Sequence, residues 1–173
     1  MMGGPHLLTG AAIGATLRRP WLAYPVAFAS HIALDLVPHY DSHDMLAPLG
    51  GNHIAEGGIA VLDFTLAWVA IAWLARGRPW RRVALWSAFF AIVIDLVFNL
   101  PVWGPVFKAW PPTAGIGAWH HNMQPHLPPG QWLAGFGPQV VVLAIGVWAL
   151  RRQARPAAAA EEVEAQAAAT DCR

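Results

Sequence analysis

The stretch Ser30-His31-Ile32-Ala33-Leu34-Asp35-Leu36-Val37-Pro38-His39-Tyr40-Asp41 closes an apolar run that begins near Trp21. It sets ionisable side chains at helical spacing inside sequence otherwise suited to lipid. His31 and Asp35 are four residues apart, so they share a helix face one turn from each other. Pro38 ends the helix, and His39 follows at a point where the chain can fold it back over that face. A charge at the centre of a bilayer costs about 2.5–3.5 kcal/mol on insertion scales, which makes such residues functional by default.

Four further apolar segments surround this one. Residues 5–17 open with Pro at a first helical position and stop at Arg18-Arg19-Pro20. At 1.5 Å per residue that segment is only about 20 Å long, which predicts a partial or re-entrant helix protected by its neighbours. Gly10 and Gly14, with Ala11 and Ala15, give it a face of small residues for close packing. Residues 56–75, 80–100 and 132–150 are each near the roughly 20 residues that a crossing requires. Of the 10 tryptophans, Trp21, Trp80, Trp103, Trp110, Trp119 and Trp132 fall at or beyond predicted helix ends, as an interfacial belt would place them. With 56% hydrophobic and 12% charged residues, the chain reads as an all-α integral membrane bundle. The expectation is four spanning helices plus the short N-terminal one, over residues 1–155. An Ala/Glu-rich flexible tail, 156–173, carries no chemistry.

Several function classes drop out. A net charge of +1, without a basic stripe, gives no nucleic-acid reading. The single cysteine, Cys172 in the tail, excludes an intramolecular disulfide and a cysteine metal site. The first residues lack the basic stretch of a secretory signal, so they are expected on the mature protein.

Depth singles out the chemistry. Counted from the helix end, Asp35 lies roughly 5 Å deep and His31 roughly 10 Å. Asp63, in the third segment, lies about 10 Å in, Asp95 in the fourth about 8 Å in, and Gln139 in the fifth at a similar depth. Four antiparallel segments thus put polar groups into one layer near one end of the bundle. Arginines mark the opposite end: Arg18 and Arg19, the loop 76–82, and Arg151, Arg152 and Arg155. Loops 39–55 and 101–131 hold only Lys108 among basic side chains other than histidine. The positive-inside rule then makes the arginine end cytoplasmic and turns the polar layer, with His6, away from the cytoplasm.

Imidazole with carboxylate is the ligand set of zinc, and of manganese or iron where carboxylates predominate. Candidate metal ligands are His6, His31, Asp35, His39, Asp63, Asp95 and His120, enough for one or two divalent ions. His120 and His121 are candidate catalytic residues, with His121 as general acid. Asp41, His43, Asp44 and Glu56 read as loop, capping or turn residues, His53 as a packing or hydrogen-bonding residue, and His126 as either structural or part of the histidine loop. Ser30 neighbours His31 but lies on a different helical face, so no serine nucleophile is expected.

His6-Leu7-Leu8-Thr9-Gly10, the 30–41 stretch, the isolated Asp63, Asp95 and His120-His121-Asn122-Met123-Gln124 together resemble the small bacterial inner-membrane proteins classed as membrane-bound metal-dependent hydrolases. The likeness covers roughly residues 1–150 and is densest over the first 41. Val93-Ile94-Asp95 stands where that family is expected to have Leu-Pro-Asp. The resemblance implies a multi-pass protein of the bacterial inner membrane and a hydrolase activity. Residues 31–39 are also loosely similar to the His-x3-Asp…Pro…His segment of zinc-dependent phospholipase C and its nuclease relatives, with shorter spacing, which hints at phosphoester chemistry.

The expected function is therefore a metal-dependent hydrolase of phosphoesterase type, with a lipid or lipid-linked substrate presented from the bilayer. Two other readings stand beside it: a metal-binding or ion- and proton-handling membrane protein without hydrolysis, and a bundle pinned by a polar network. Residues 64–75, FTLAWVAIAWLA, are almost dry, and a transporter would need a polar path there.

Overall fold

The computed structural model describes residues 1–125 and 127–154, so His126 and the expected tail lie outside the described residues. Those residues form helices joined by short turns, with no strand among them. The helices are α1 (Gly3–Leu17), α2 (Pro20–Asp35), α3 (Ser42–Leu46), α4 (His53–Leu74), α5 (Arg81–Phe90), α6 (Val93–Asn99), α7 (Gly104–Ala109), α8 (Pro111–Asn122) and α9 (Trp132–Ala154).

The shortest predicted segment turns out to be the centre of the molecule. α1 packs against α2, α4, α5 and α9, and Pro5, His6, Leu7, Leu8, Ala11 and Ala15 on it are buried. Its small residues make this possible. A Cβ added at Gly10 would stand 2.5 Å from the Ala91 Cβ, and one at Gly14 2.6 Å from Ser87 Oγ. On the opposite side, Gly146 of α9 meets Leu8, where an added Cβ would lie 2.9 Å from the Leu8 Cβ. Backbones so close gain dispersion contacts that larger side chains would forbid.

α2 follows a similar logic. Its buried residues, Ala23, Ala27, His31 and Asp35, recur every four positions. One stripe therefore begins as methyl groups and ends as an imidazole and a carboxylate.

Two helices, α4 and α9, are long and apolar enough to cross a membrane. α5 and α6 pass the same test together, as a span bent by 44°. α2 is 16 residues long, short of the roughly 20 an upright crossing needs. The described residues thus contain two candidate spans, or three with the bent pair, rather than the expected four. Outward-facing Val61, Leu62, Leu66, Val69 and Trp73 on α4 are exposed, a continuous apolar surface larger than a water-facing helix carries.

The fourth predicted segment, 80–100, is broken at Ala91–Ile92. The two expected loops are also partly helical. Asp41 caps α3 in a reciprocal box with Asp44, and Asn52 caps α4. In the 101–131 segment, prolines occupy the first turns of α7 and α8. There the missing N–H costs nothing and the fixed φ suits the helix.

If the α1–α5 contact sets the bundle, Gly14→Leu should destabilise it by about 1–3 kcal/mol through overpacking. Gly57→Ala, which meets open space, should be neutral or slightly stabilising. Unfolding in mixed detergent micelles reads both.

Candidate metal centre

The layer predicted from helix depth assembles around one carboxylate. Asp35, at the end of α2, is fully buried. His31 Nε2 lies 3.1 Å and His120 Nε2 3.0 Å from its Oδ2, and these two nitrogens are 3.0 Å apart. Gln124 Nε2 donates to the same oxygen over 3.2 Å. Asp95 Oδ1 stands 3.8 Å from both imidazole nitrogens. On the other side of the carboxylate, His6 Nε2 is 3.0 Å from Oδ1 and the Met1 amino group 3.1 Å from it.

Each element contributes for a local reason. The break between α5 and α6 leaves the Ala91 carbonyl facing His31, whose Nδ1–H donates to it over 2.7 Å. The same break starts a new helix with Asp95 in its first turn, where a carboxylate is favoured by the helix dipole. α8 carries His120 across to α2, with Gly117 one turn earlier pressed onto the Phe98 ring, 2.9 Å from where its Cβ would be.

The hydrogen-bond pattern leaves a place for a cation. A carbonyl can only accept, so His31 holds its proton on Nδ1 and, when neutral, presents a bare lone pair at Nε2. That lone pair faces the Asp35 oxygen and the His120 nitrogen. These short contacts can be met by protons on the imidazoles or by one cation shared among the lone pairs. His6, fully buried, leaves Nδ1 without a hydrogen-bond partner among the described residues, while its Nε2 stands 3.0 Å from Asp35 Oδ1 and its ring stacks on His31 at 4.2 Å. A buried polar atom without a partner costs about 1–3 kcal/mol.

The donor set fits a metal in four respects. His31, Asp35, Asp95 and His120 each offer a ligand atom, all within 4.8 Å of one another. Bonds of about 2.0–2.2 Å to nitrogen and oxygen hold neighbouring ligands roughly 3 Å apart, the spacing of the triangle here. His31 also has the second contact typical of a ligating histidine, its other nitrogen donating to a backbone carbonyl. The two carboxylates would balance a dication, so the centre would be neutral in its apolar surroundings.

Of the seven predicted ligands, these four converge, His6 stands against Asp35 from the other side, and His39 and Asp63 take different partners. His39 Nδ1–H donates to the Val37 carbonyl over 2.7 Å, and its Nε2 contacts the Met1 amino group. Burial, and then that ammonium, lower its pKa from the usual imidazole range, so the ring is neutral at pH 7. Asp63 turns to the start of α1, where the Gly4 N–H donates to its Oδ2 over 2.6 Å. The carboxylate thereby serves as a cap from a neighbouring helix, satisfying an otherwise orphaned donor. His6 flanks the group. His121, the predicted acid, is exposed at the next position of α8. Ser30 Oγ–H donates to the Ala27 carbonyl.

Depth counting gave no role to Gln124 or Tyr40. Tyr40 accepts from the Gln131 N–H at 2.9 Å and donates to the Pro128 carbonyl at 2.5 Å. Its backbone carbonyl accepts from Gln139 Nε2 at 2.7 Å. Gln139 Oε1 in turn accepts from the Met2 N–H at 3.1 Å, so this residue of the polar layer acts as a brace. Outside the layer, Glu56 receives His43 on one oxygen at 3.1 Å and His53 on the other at 3.0 Å.

Comparison with family models, with curated proteins and with solved structures yields no match to this chain.

Elemental analysis of detergent-purified protein should find a stoichiometric divalent ion that His31→Ala/Asp35→Ala loses. Asp63→Ala should keep the ion while losing stability, by about 1.5–3 kcal/mol for a hydrogen bond to a charged group. Metal loss in Asp63→Ala with stability intact would return Asp63 to the ligand set.

The Glu56 contact raises the His43 pKa above the usual imidazole range. The stabilisation from a protonated His43 is therefore complete below the ordinary histidine pKa and lost as pH rises through the raised value. Histidine-resolved NMR should show His43 moving down towards about 6.5 in Glu56→Gln.

Proposed function

We propose that this chain is an integral-membrane, metal-dependent hydrolase of phosphoesterase type, acting on a lipid or lipid-linked substrate. One observation carries the reading: imidazole and carboxylate groups from α2, α6 and α8, three of the four buried, bring ligand atoms within 4.8 Å of one another, inside a bundle whose outer surface is apolar. In this reading α2 joins α4, the bent α5–α6 pair and α9 as a fourth crossing element around a re-entrant α1. The protein lies in the bacterial inner membrane, with the arginine end in the cytoplasm and the polar layer facing away from it. Charge bias and the family resemblance support that placement.

His31, Asp35, Asp95 and His120 would hold the ion, zinc by preference for its nitrogen ligands, manganese or iron by virtue of the carboxylates. A divalent ion there supplies two things: polarisation of a phosphoryl oxygen, and a lowered pKa for the attacking water. The chain's own groups do the rest. Gln124 fixes the free rotation of the Asp35 carboxylate. His6 occupies its second oxygen, so Asp35 has donors on both sides and one or two ions fit the arrangement. His121, exposed beside His120, protonates the leaving alkoxide and is regenerated from solvent.

The competing role of ion transport is disfavoured by what lies below the layer. Leu7, Leu8, Ala11, Ala15, Ile71, Ala84 and Leu150 form a buried apolar cluster across the path an ion would need.

The test is hydrolysis of bis(p-nitrophenyl) phosphate and of phosphatidylglycerol vesicles by metal-loaded protein. Activity should disappear with chelator and with Asp35→Asn, while His121→Ala should retain metal and lose about 10²–10⁴-fold in turnover. A fully loaded protein inert towards every phosphoester lipid, but passing metal into liposomes, would overturn the reading in favour of ion handling.

A further inference from the structure

A cavity of about 470 Å³ opens between α2 and α9, with α1 as its floor. Thr9, Ile13 and Thr16 line the floor, Leu34 one wall, and Val142 and Ile145 the other. No charged residue lines it. The Thr16 hydroxyl is spent on its own helix, donating to the Ala12 carbonyl over 2.8 Å, so that end offers no hydrogen-bond donor to a polar occupant.

What lies at the head of this groove identifies its occupant. The floor residues continue the α1 face that begins at His6, one turn before Thr9. Leu34 is the residue before Asp35, and Val142 comes three residues after Gln139, on the same face of α9. All three helices therefore lead from the apolar groove into the polar layer at one end. From His6 to Thr16 the helix advances about 15 Å, half the ~30 Å hydrocarbon thickness, or one leaflet. A second protein helix laid in the groove would have no need of a polar site at its tip. An amphiphile needs both parts at this spacing.

We propose that the α2–α9 groove seats an acyl chain of the lipid substrate, holding its phosphoryl headgroup at the His31/Asp35/Asp95/His120 cluster. This rests on the hydrolase reading above and narrows the substrate to a lipid whose tail enters sideways from one leaflet. The groove sets which ester reaches the cluster by fixing how far the tail descends. Shorter or water-soluble phosphoesters would lose that positioning and react more slowly.

The experiment uses the full chain in nanodiscs containing phosphatidylglycerol with a diazirine at a defined acyl carbon, followed by photolysis and peptide mapping. Labelling of Thr9, Ile13 and Thr16 should exceed severalfold that of Val69 and Trp73, which are exposed on the outer face of α4. The label should move from Thr9 towards Thr16 as the diazirine moves down the chain. Ile145→Trp, at an exposed wall position, should suppress groove labelling and leave metal content unchanged. Equal labelling of groove and outer face, or no dependence on diazirine position, would overturn the proposal. Metal content measured on the same samples separates the two failures. Uniform labelling of metal-loaded protein sinks the groove alone, whereas ordered labelling of a protein that never takes up metal sinks the hydrolase reading.

Discussion

Everything in this bundle is arranged around a carboxylate that has no access to water. Asp35 is fully buried among apolar helices, where an unpaired charge is far costlier than any single contact repays. It is tolerable because groups from several other parts of the chain reach it: His6 from α1, His120 from α8, Gln124 just beyond α8, and His31 from its own helix. The polar layer is therefore a joint as well as a site. Removing Asp35 leaves imidazoles facing each other across an apolar gap, and removing the imidazoles leaves a bare anion. A bound dication would resolve both problems together, and metal occupancy would then influence how firmly α8 and α2 are held.

Around that joint the packing is set by what α1 lacks. A helix of ordinary side chains could not sit amid four others and still bring His6 to the Asp35 carboxylate. Gly10, Gly14 and, from the partner side, Gly146 remove the side chains that would keep backbones apart. The helix is too short to cross a bilayer alone, and as the sheathed core of the bundle it has no need to. Asp63 then acquires a physical purpose: it satisfies the start of a helix that begins inside protein rather than in water.

The same logic separates what was legible in the sequence from what was not. Helix depth follows from counting, so His31, Asp35 and Asp95 could be assigned to one layer from spacing alone. Rotation about the helix axis does not follow from depth. Asp63 shares the layer's depth, yet its oxygen points to Gly4 rather than to Asp35. His39 was legible as a residue folded back over the layer, but its Nε2 partner, the Met1 amino group, lies 38 residues away in sequence. The bend at Ala91–Ile92 was hidden because no proline or glycine marks it. The prolines of α7 and α8 pointed the wrong way, since the residue that breaks a helix interior also opens a helix at its first turn. Small residues on α1 announced close packing without saying that α5 would be the partner.

The layer's position is itself informative about mechanism. A transporter must offer its cargo polar contacts on both sides of the binding site, because each step away from it would otherwise require full desolvation. Here the side towards the arginine end is closed by Leu7, Ala11, Ile71 and Leu150, while the opposite side is roofed by α8 and the Tyr40–Gln139 brace. Polar groups on that roof reach both the cluster and the exposed surface. A cation bound under such conditions would act through its electric field rather than by passage, and a field in an apolar, water-poor site acts most strongly on a substrate that is already an anion. Anions that can approach from within the membrane, with their remainder solvated by lipid, are those carried on hydrophobic tails. On the hydrolase reading proposed here, the cost of burying Asp35 and partly burying Asp95 would be matched to one kind of reactant, a headgroup delivered to the metal by the bilayer itself.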